Sequence, residues 1–165
     1  MRKVLRLASE RLLNLLKSAV LREINLSIRY MWQYITVKNV GGVSVPNMLR
    51  GLATAEMKHV EAIARRLNHL GISPPTNLDA IDIDQDLSLQ EMLKIDLEEE
   101  EEKIILFKVI THVADDEGDV ATMRLFEEML FEEEKHRDSL LRLVEEVKKH
   151  DHSMIRCGIF KKENV

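Results

Sequence analysis

The stretch Leu49-Arg50-Gly51-Leu52-Ala53-Thr54-Ala55-Glu56-Met57-Lys58-His59-Val60-Glu61-Ala62-Ile63-Ala64-Arg65-Arg66-Leu67-Asn68-His69-Leu70 decides the fold. Leu49, Leu52, Ile63, Leu67 and Leu70 recur at the three-to-four spacing of one helix face, and Glu56 and His59 sit on that same face. Ser44 offers an N-cap before it, and Pro46 suits the first turn. Gly71 ends it and Pro74-Pro75 blocks continuation, so the spacing predicts a helix over 46–70. A carboxylate on a buried face is costly unless its charge is compensated. The neighbours that compensate it must come from the rest of the chain.

Working outward, the same periodicity predicts three more long helices, over 3–39, 88–114 and 119–149. Ser88-Leu89-Gln90-Glu91 reads as a capping box for the third, and Gly118-Asp119 separates third from fourth. Their apolar stripes are Leu16, Val20, Glu23, Ser27, Tyr30 and Tyr34; Leu93, Leu97, Glu100, Ile104 and Phe107; and Phe126, Met129, Glu133, His136, Leu140 and Val144. Each is interrupted once by a carboxylate. Short turns join helices one to two and three to four, giving two antiparallel hairpins. The segment 72–87 is long enough to cross the full bundle, since helices of about 27 residues rise about 40 Å. The expected fold class is all-α: a four-helix bundle of two hairpins with one long crossover. The bundle with its site should occupy residues 1–150. Residues 151–165, with apolar Met154, Ile155, Ile159 and Phe160, form a tail or a short fifth helix.

Four carboxylates meeting in one core repel one another as well as resisting burial. Two divalent cations resolve both problems, with His59 and His136 as neutral nitrogen ligands. Glu56-x-x-His59 and Glu133-x-x-His136 each put acid and imidazole on one helix face. Glu23 precedes Glu56 by 33 positions, and Glu100 precedes Glu133 by the same 33. One Glu-x-x-His is common in acidic helices; two copies with matched upstream glutamates form a specific signal. One Glu from each of two helices plus Glu-x-x-His from the others is the di-iron carboxylate pattern of helix bundles. The oxygen-rich donor set suits iron or manganese better than structural zinc. Within the run Glu98–Glu102, Glu100 is selected by stripe and spacing, Glu99 is second, and the others read as a solvated face.

On Glu23 with Tyr30, Ala55–Val60, Glu91–Leu97 and Glu132–His136, the sequence resembles the bacterioferritins over about residues 10–150. That resemblance implies terminal ligands Glu23 and Glu100, bridging Glu56 and Glu133, and His59 and His136 capping one metal each. It also implies Tyr30 as a one-electron donor beside the site. It further implies oxidation of Fe(II) by dioxygen or peroxide, ferric storage in a homo-oligomeric cage, and haem b held by Met57 across a twofold axis. The chain departs from the family at Gly51 and Ala55, where bacterioferritins often carry His and Asp. Rubrerythrins, similar too, usually place a carboxylate where this chain has Lys103, and they add a cysteine-bound iron module.

With 165 residues, 45 % hydrophobic and 32 % charged, the chain fits one domain. A net charge of −5 argues against nucleic acid, and no apolar run reaches the ~20 residues of a membrane span. One cysteine, Cys157, forms no internal disulfide, so a reducing cytoplasm is expected. The alternatives are a metal-free polar network, a rubrerythrin-like peroxide scavenger, a di-iron monooxygenase, and a DNA-protecting mini-ferritin. Mini-ferritins usually place the iron site between subunits, whereas this chain carries a complete ligand set. Tyr30 reads equally as a core tyrosine, Met57 as interface packing, and His69, His112, His150 and His152 as surface residues.

Overall fold

The computed structural model describes residues 8–38, 44–76 and 87–156, with side chains through His150. The described residues form four helices and no strand: α1 Glu10–Thr36, α2 Val45–His69, α3 Leu89–Asp116 and α4 Val120–Arg156.

The ends follow from local chemistry. Ser9 is extended and its hydroxyl accepts from the Leu12 amide, so α1 starts at Glu10, later than the periodicity alone suggested. The capping box of α3 forms as expected: the Ser88 amide donates to Glu91 and the Glu91 amide to the Ser88 hydroxyl. Ser44 occupies the N-cap of α2 without making the side-chain bond, and Pro46 lies in its first turn. Asp119 caps α4 by accepting from the Thr122 amide. Gly71 and Gly118 take the left-handed conformation, φ 77° and 70°. At each, paired 6→1 and 5→2 hydrogen bonds close the helix: Ile72 to Leu67 and Gly71 to Asn68, then Asp119 to Ala114 and Gly118 to Asp115. α4 runs on to Arg156, past the expected boundary near 149; the rest of the tail, 157–165, lies outside the described residues.

Contacts fix the topology. Ser9 meets Glu117, Tyr30 meets Glu100 and Gln33 meets Asp96, so α1 and α3 run antiparallel. Arg66 meets Asp119 while His59 meets Glu132, so α2 and α4 do too. Ser27 bonds the Ala53 carbonyl and Glu23 lies near His59, which makes α1 and α2 a hairpin. α2 and α3 therefore run parallel, with the end of α2 and the start of α3 at opposite ends of the bundle. Two apolar clusters fill the core. One centres on Leu12, Leu16, Ile63, Leu67, Phe107 and Phe126, the two rings packing edge to face with centroids 4.9 Å apart. The other gathers Leu26, Leu49, Leu52, Leu93, Leu140 and Val144. Polar side chains separate them at mid-bundle.

Candidate metal centre

That polar layer is built by register. Glu23, Glu56, Glu100 and Glu133 each replace one apolar residue of a stripe, one per helix, and all four are fully buried. His59 is buried and His136 half-buried, one turn after Glu56 and Glu133. Their donor atoms form two groups, Glu23, Glu56, His59 and Glu133, and Glu56, Glu100, Glu133 and His136, each with its atoms within 4.8 Å of one another. Glu56 and Glu133 belong to both. The bundle thus brings all six sequence-selected donors together. Tyr30, fully buried, donates its hydroxyl to Glu100 Oε1 at 2.6 Å. Glu99 lies elsewhere, paired with Arg22 at 2.8 Å and Arg29 at 3.6 Å. Met57 is exposed on the outer side of α2, with Thr54 exposed beside it. Ala53, one turn before Met57, is buried in the core.

One occupant of the site went unrecognised in the sequence. Lys103 is fully buried, and its Nζ lies 2.7 Å from Glu133, 2.9 Å from Glu56, 2.9 Å from Glu100 and 3.8 Å from Glu23. The signal was present, because Glu100-x-x-Lys103 repeats the acid-then-nitrogen spacing of the two Glu-x-x-His turns. Asp96 was missed as well. It is buried below the site and accepts from Gln33 Nε2 at 2.9 Å.

Electrostatics follow from crowding. Burial opposes charge on His59, but contact with Glu133, Glu23 and Glu56 outweighs it and pushes the imidazole up to about 12. Burial is likewise overcome at His136 by Glu133 and Glu56, which raise it to about 9. Lys103, desolvated yet ringed by four carboxylates, is held well above the ordinary lysine range. Burial pushes Glu23 well up, against the pull of Lys103, and Glu100 up to about 7. Glu56 and Glu133 also lose hydration, but their cationic contacts win, taking Glu56 well below the usual range and Glu133 down to about 2. Ammonium and imidazolium charges therefore balance the shared carboxylates.

The donor set nonetheless fits metal. Both oxygens of Glu23 are buried without an aligned hydrogen bond, their cationic neighbours standing off at 3.7 Å (His59) and 3.8 Å (Lys103). Buried carboxylate oxygens so placed have room for a further partner. Four carboxylates and two imidazoles, arranged as two overlapping groups, are hard-to-borderline donors suited to iron or manganese. Among the described residues, no helix is long and apolar enough to cross a membrane.

The model of the ferritin-like domain matches residues 13–150, and the chain belongs to that family. Bacterioferritins are the relatives it resembles. The bacterioferritin of Desulfovibrio desulfuricans is 25 % identical over 126 residues, 76 % of this chain and 70 % of that protein. The X-ray structure of the Desulfovibrio desulfuricans bacterioferritin, whose diiron site was seen in different catalytic states, matches with TM-score 0.78. That match is 22 % identical and covers 88 % of this chain and 85 % of that one. Rhodobacter capsulatus bacterioferritin, solved with a metal-free dinuclear site and a haem iron, matches with TM-score 0.74 and 22 % identity, covering 84 % and 86 %. These likenesses establish the shared bundle.

Proposed function

We propose that this chain is a ferroxidase that oxidises Fe(II) with dioxygen or peroxide, serving iron storage and detoxification. The observation that carries this reading is the pair of overlapping donor groups sharing Glu56 and Glu133 at the centre of a ferritin-family bundle. Glu23 and Glu100 would be terminal ligands, Glu56 and Glu133 would bridge, and His59 and His136 would each cap one iron. The reaction takes one electron from each of two Fe(II) and delivers both, with two protons, to dioxygen or to peroxide. The protein's part is arrangement. The stripes above and below exclude water, the imidazoles surrender their protons as metal enters, and Tyr30 holds Glu100 in place while standing near enough to lend an electron.

Assembly into a homo-oligomeric cage in the cytoplasm belongs to the same reading. Met31, Trp32 and Ile35 on α1 and Met57 on α2 are large apolar side chains left exposed, which supports association with further copies. Haem b on Met57 would need such an interface. Gly51 is exposed with open space where a side chain would go, so packing does not dictate the loss of the polar residues seen there in the resembled family.

The test is aerobic Fe(II) titration with metal counting on the sized particle. Rapid oxidation on a large particle, abolished in Glu56→Ala and kept in Glu98→Ala, is the expected result. Full oxidation rate in Glu56→Ala would remove the centre from the mechanism, and a dimer as the largest species would remove storage.

A further inference from the structure

The two halves of the centre are not equivalent, and Lys103 makes them so. Its ammonium contacts Glu56, Glu100 and Glu133 at 2.9, 2.9 and 2.7 Å. Those are three of the four members of the group completed by His136. The fourth carboxylate, Glu23, belongs only to the His59 group and is farther away, at 3.8 Å. A protonated amine has three donors and no lone pair, so it cannot ligate a metal. It competes with a metal for the same oxygens. Charge tells the same story. Two divalent ions balance four carboxylates, and a third cation in that dry space leaves one positive charge over. One divalent ion plus the ammonium leaves one negative charge, which the bound proton of an imidazole or carboxyl can neutralise.

We propose that Lys103 is a resident cation that reserves the Glu100–His136 half of the centre, so that metal loads in sequence. The first ion enters the Glu23–His59 half, and the second enters only when the ammonium leaves its three carboxylates. This inference rests on the proposed metal centre. Lys103 is enclosed on all sides, with no exposed surface, so its withdrawal strands a charge or requires a new partner. A buried ion pair broken on one side loses enough to weaken the second ion by a factor on the order of 100 or more. The same ammonium explains how the metal-free bundle tolerates four carboxylates in its core.

The experiment is a calorimetric titration of the chelator-treated full chain with Co(II) or Zn(II), which bind without oxidation, alongside thermal melts of the metal-free forms. Wild type should take up one ion tightly and a second about 100-fold more weakly. Lys103→Met should take up two ions of similar affinity and melt lower than wild type when metal-free, regaining stability with metal. Lys103→Gln, which keeps a neutral donor, should give the same stoichiometry if the methionine variant fails to fold. Two tight ions on wild type overturn the role of Lys103 and leave the metal centre standing. No ion on any form, lysine variants included, overturns the metal centre and this inference with it. No ion on wild type and two on the variants overturns the half-site assignment.

Discussion

Glu133→Ala, in the metal-free protein, tests whether the mid-bundle charges are mutually compensated. Glu133 is fully buried and holds three cationic partners: Lys103 at 2.7 Å, His59 at 2.8 Å and His136 at 3.1 Å. Removing one side of a buried pair costs about 3–5 kcal/mol, chiefly because the remaining charge stays desolvated. Here His59 and His136 can shed protons and relieve part of that cost, while Lys103 keeps Glu56 and Glu100. The lower end, about 3 kcal/mol, is therefore expected. For a domain of this size each kcal/mol moves Tm by about 2–4 °C, so the variant should melt about 6–12 °C below wild type. Circular dichroism at 222 nm, scanned with chelator present, reads this directly, and the helical spectrum at low temperature should persist. Glu134→Ala, one position along α4 and exposed, is the control and should melt with wild type. If Glu133→Ala also melts within about 2 °C of wild type, the buried charges are not held by one another and the electrostatic account fails.

Tyr30→Phe deletes the 2.6 Å hydrogen bond to Glu100 without changing the packed ring; stability should fall by about 1–3 kcal/mol, and any tyrosyl radical signal seen by electron paramagnetic resonance during Fe(II) oxidation should vanish. Asp96 has its pKa raised to about 7, by burial against the pull of Gln33 and Arg29, so its contribution to stability is complete below about pH 4 and is lost as pH rises through about 7. Asp96→Asn should therefore gain on wild type at pH 8 in urea melts and show no such advantage at pH 4; equal curves at both would refute the assignment. Met57→Leu, on the exposed side of α2, should abolish any haem absorption band acquired during expression with haem available, while leaving Fe(II) oxidation unchanged.

Most of the bundle was legible because apolar periodicity and helix punctuation point the same way. Every member of the α2 stripe is buried, and the Ser88 capping box forms as its spacing indicated. Glu100 was separable from its four acidic neighbours because only it falls on the stripe. Less legible were the ends. Periodicity cannot see that Ser9 prefers to cap, nor where α4 stops when its tail keeps helical composition. Leu97 shows the limit in another form: the stripe placed it inward, yet it is only half-buried, and Asp96, chosen by Gln33 across the interface, takes the buried position.

Lys103 escaped for a physical reason that bears on the centre itself. A lysine in an acidic, solvent-facing run is normally a surface charge, and its side chain almost never buries unless paired. What reverses the expectation here is not local sequence. It is the convergence of Glu56 and Glu133 from two other helices, 47 and 30 positions away in the chain, onto the turn that carries Glu100. The stripe logic that found the carboxylates asked only which residues break an apolar face, and counted one interruption per helix. α3 has three, Asp96, Glu100 and Lys103, and the last, one turn beyond Glu100, is of opposite sign. An interruption of opposite charge is what a cluster of acids requires when no metal is bound. The same convergence that gathers the candidate ligands therefore also gathers the cation that balances their charge.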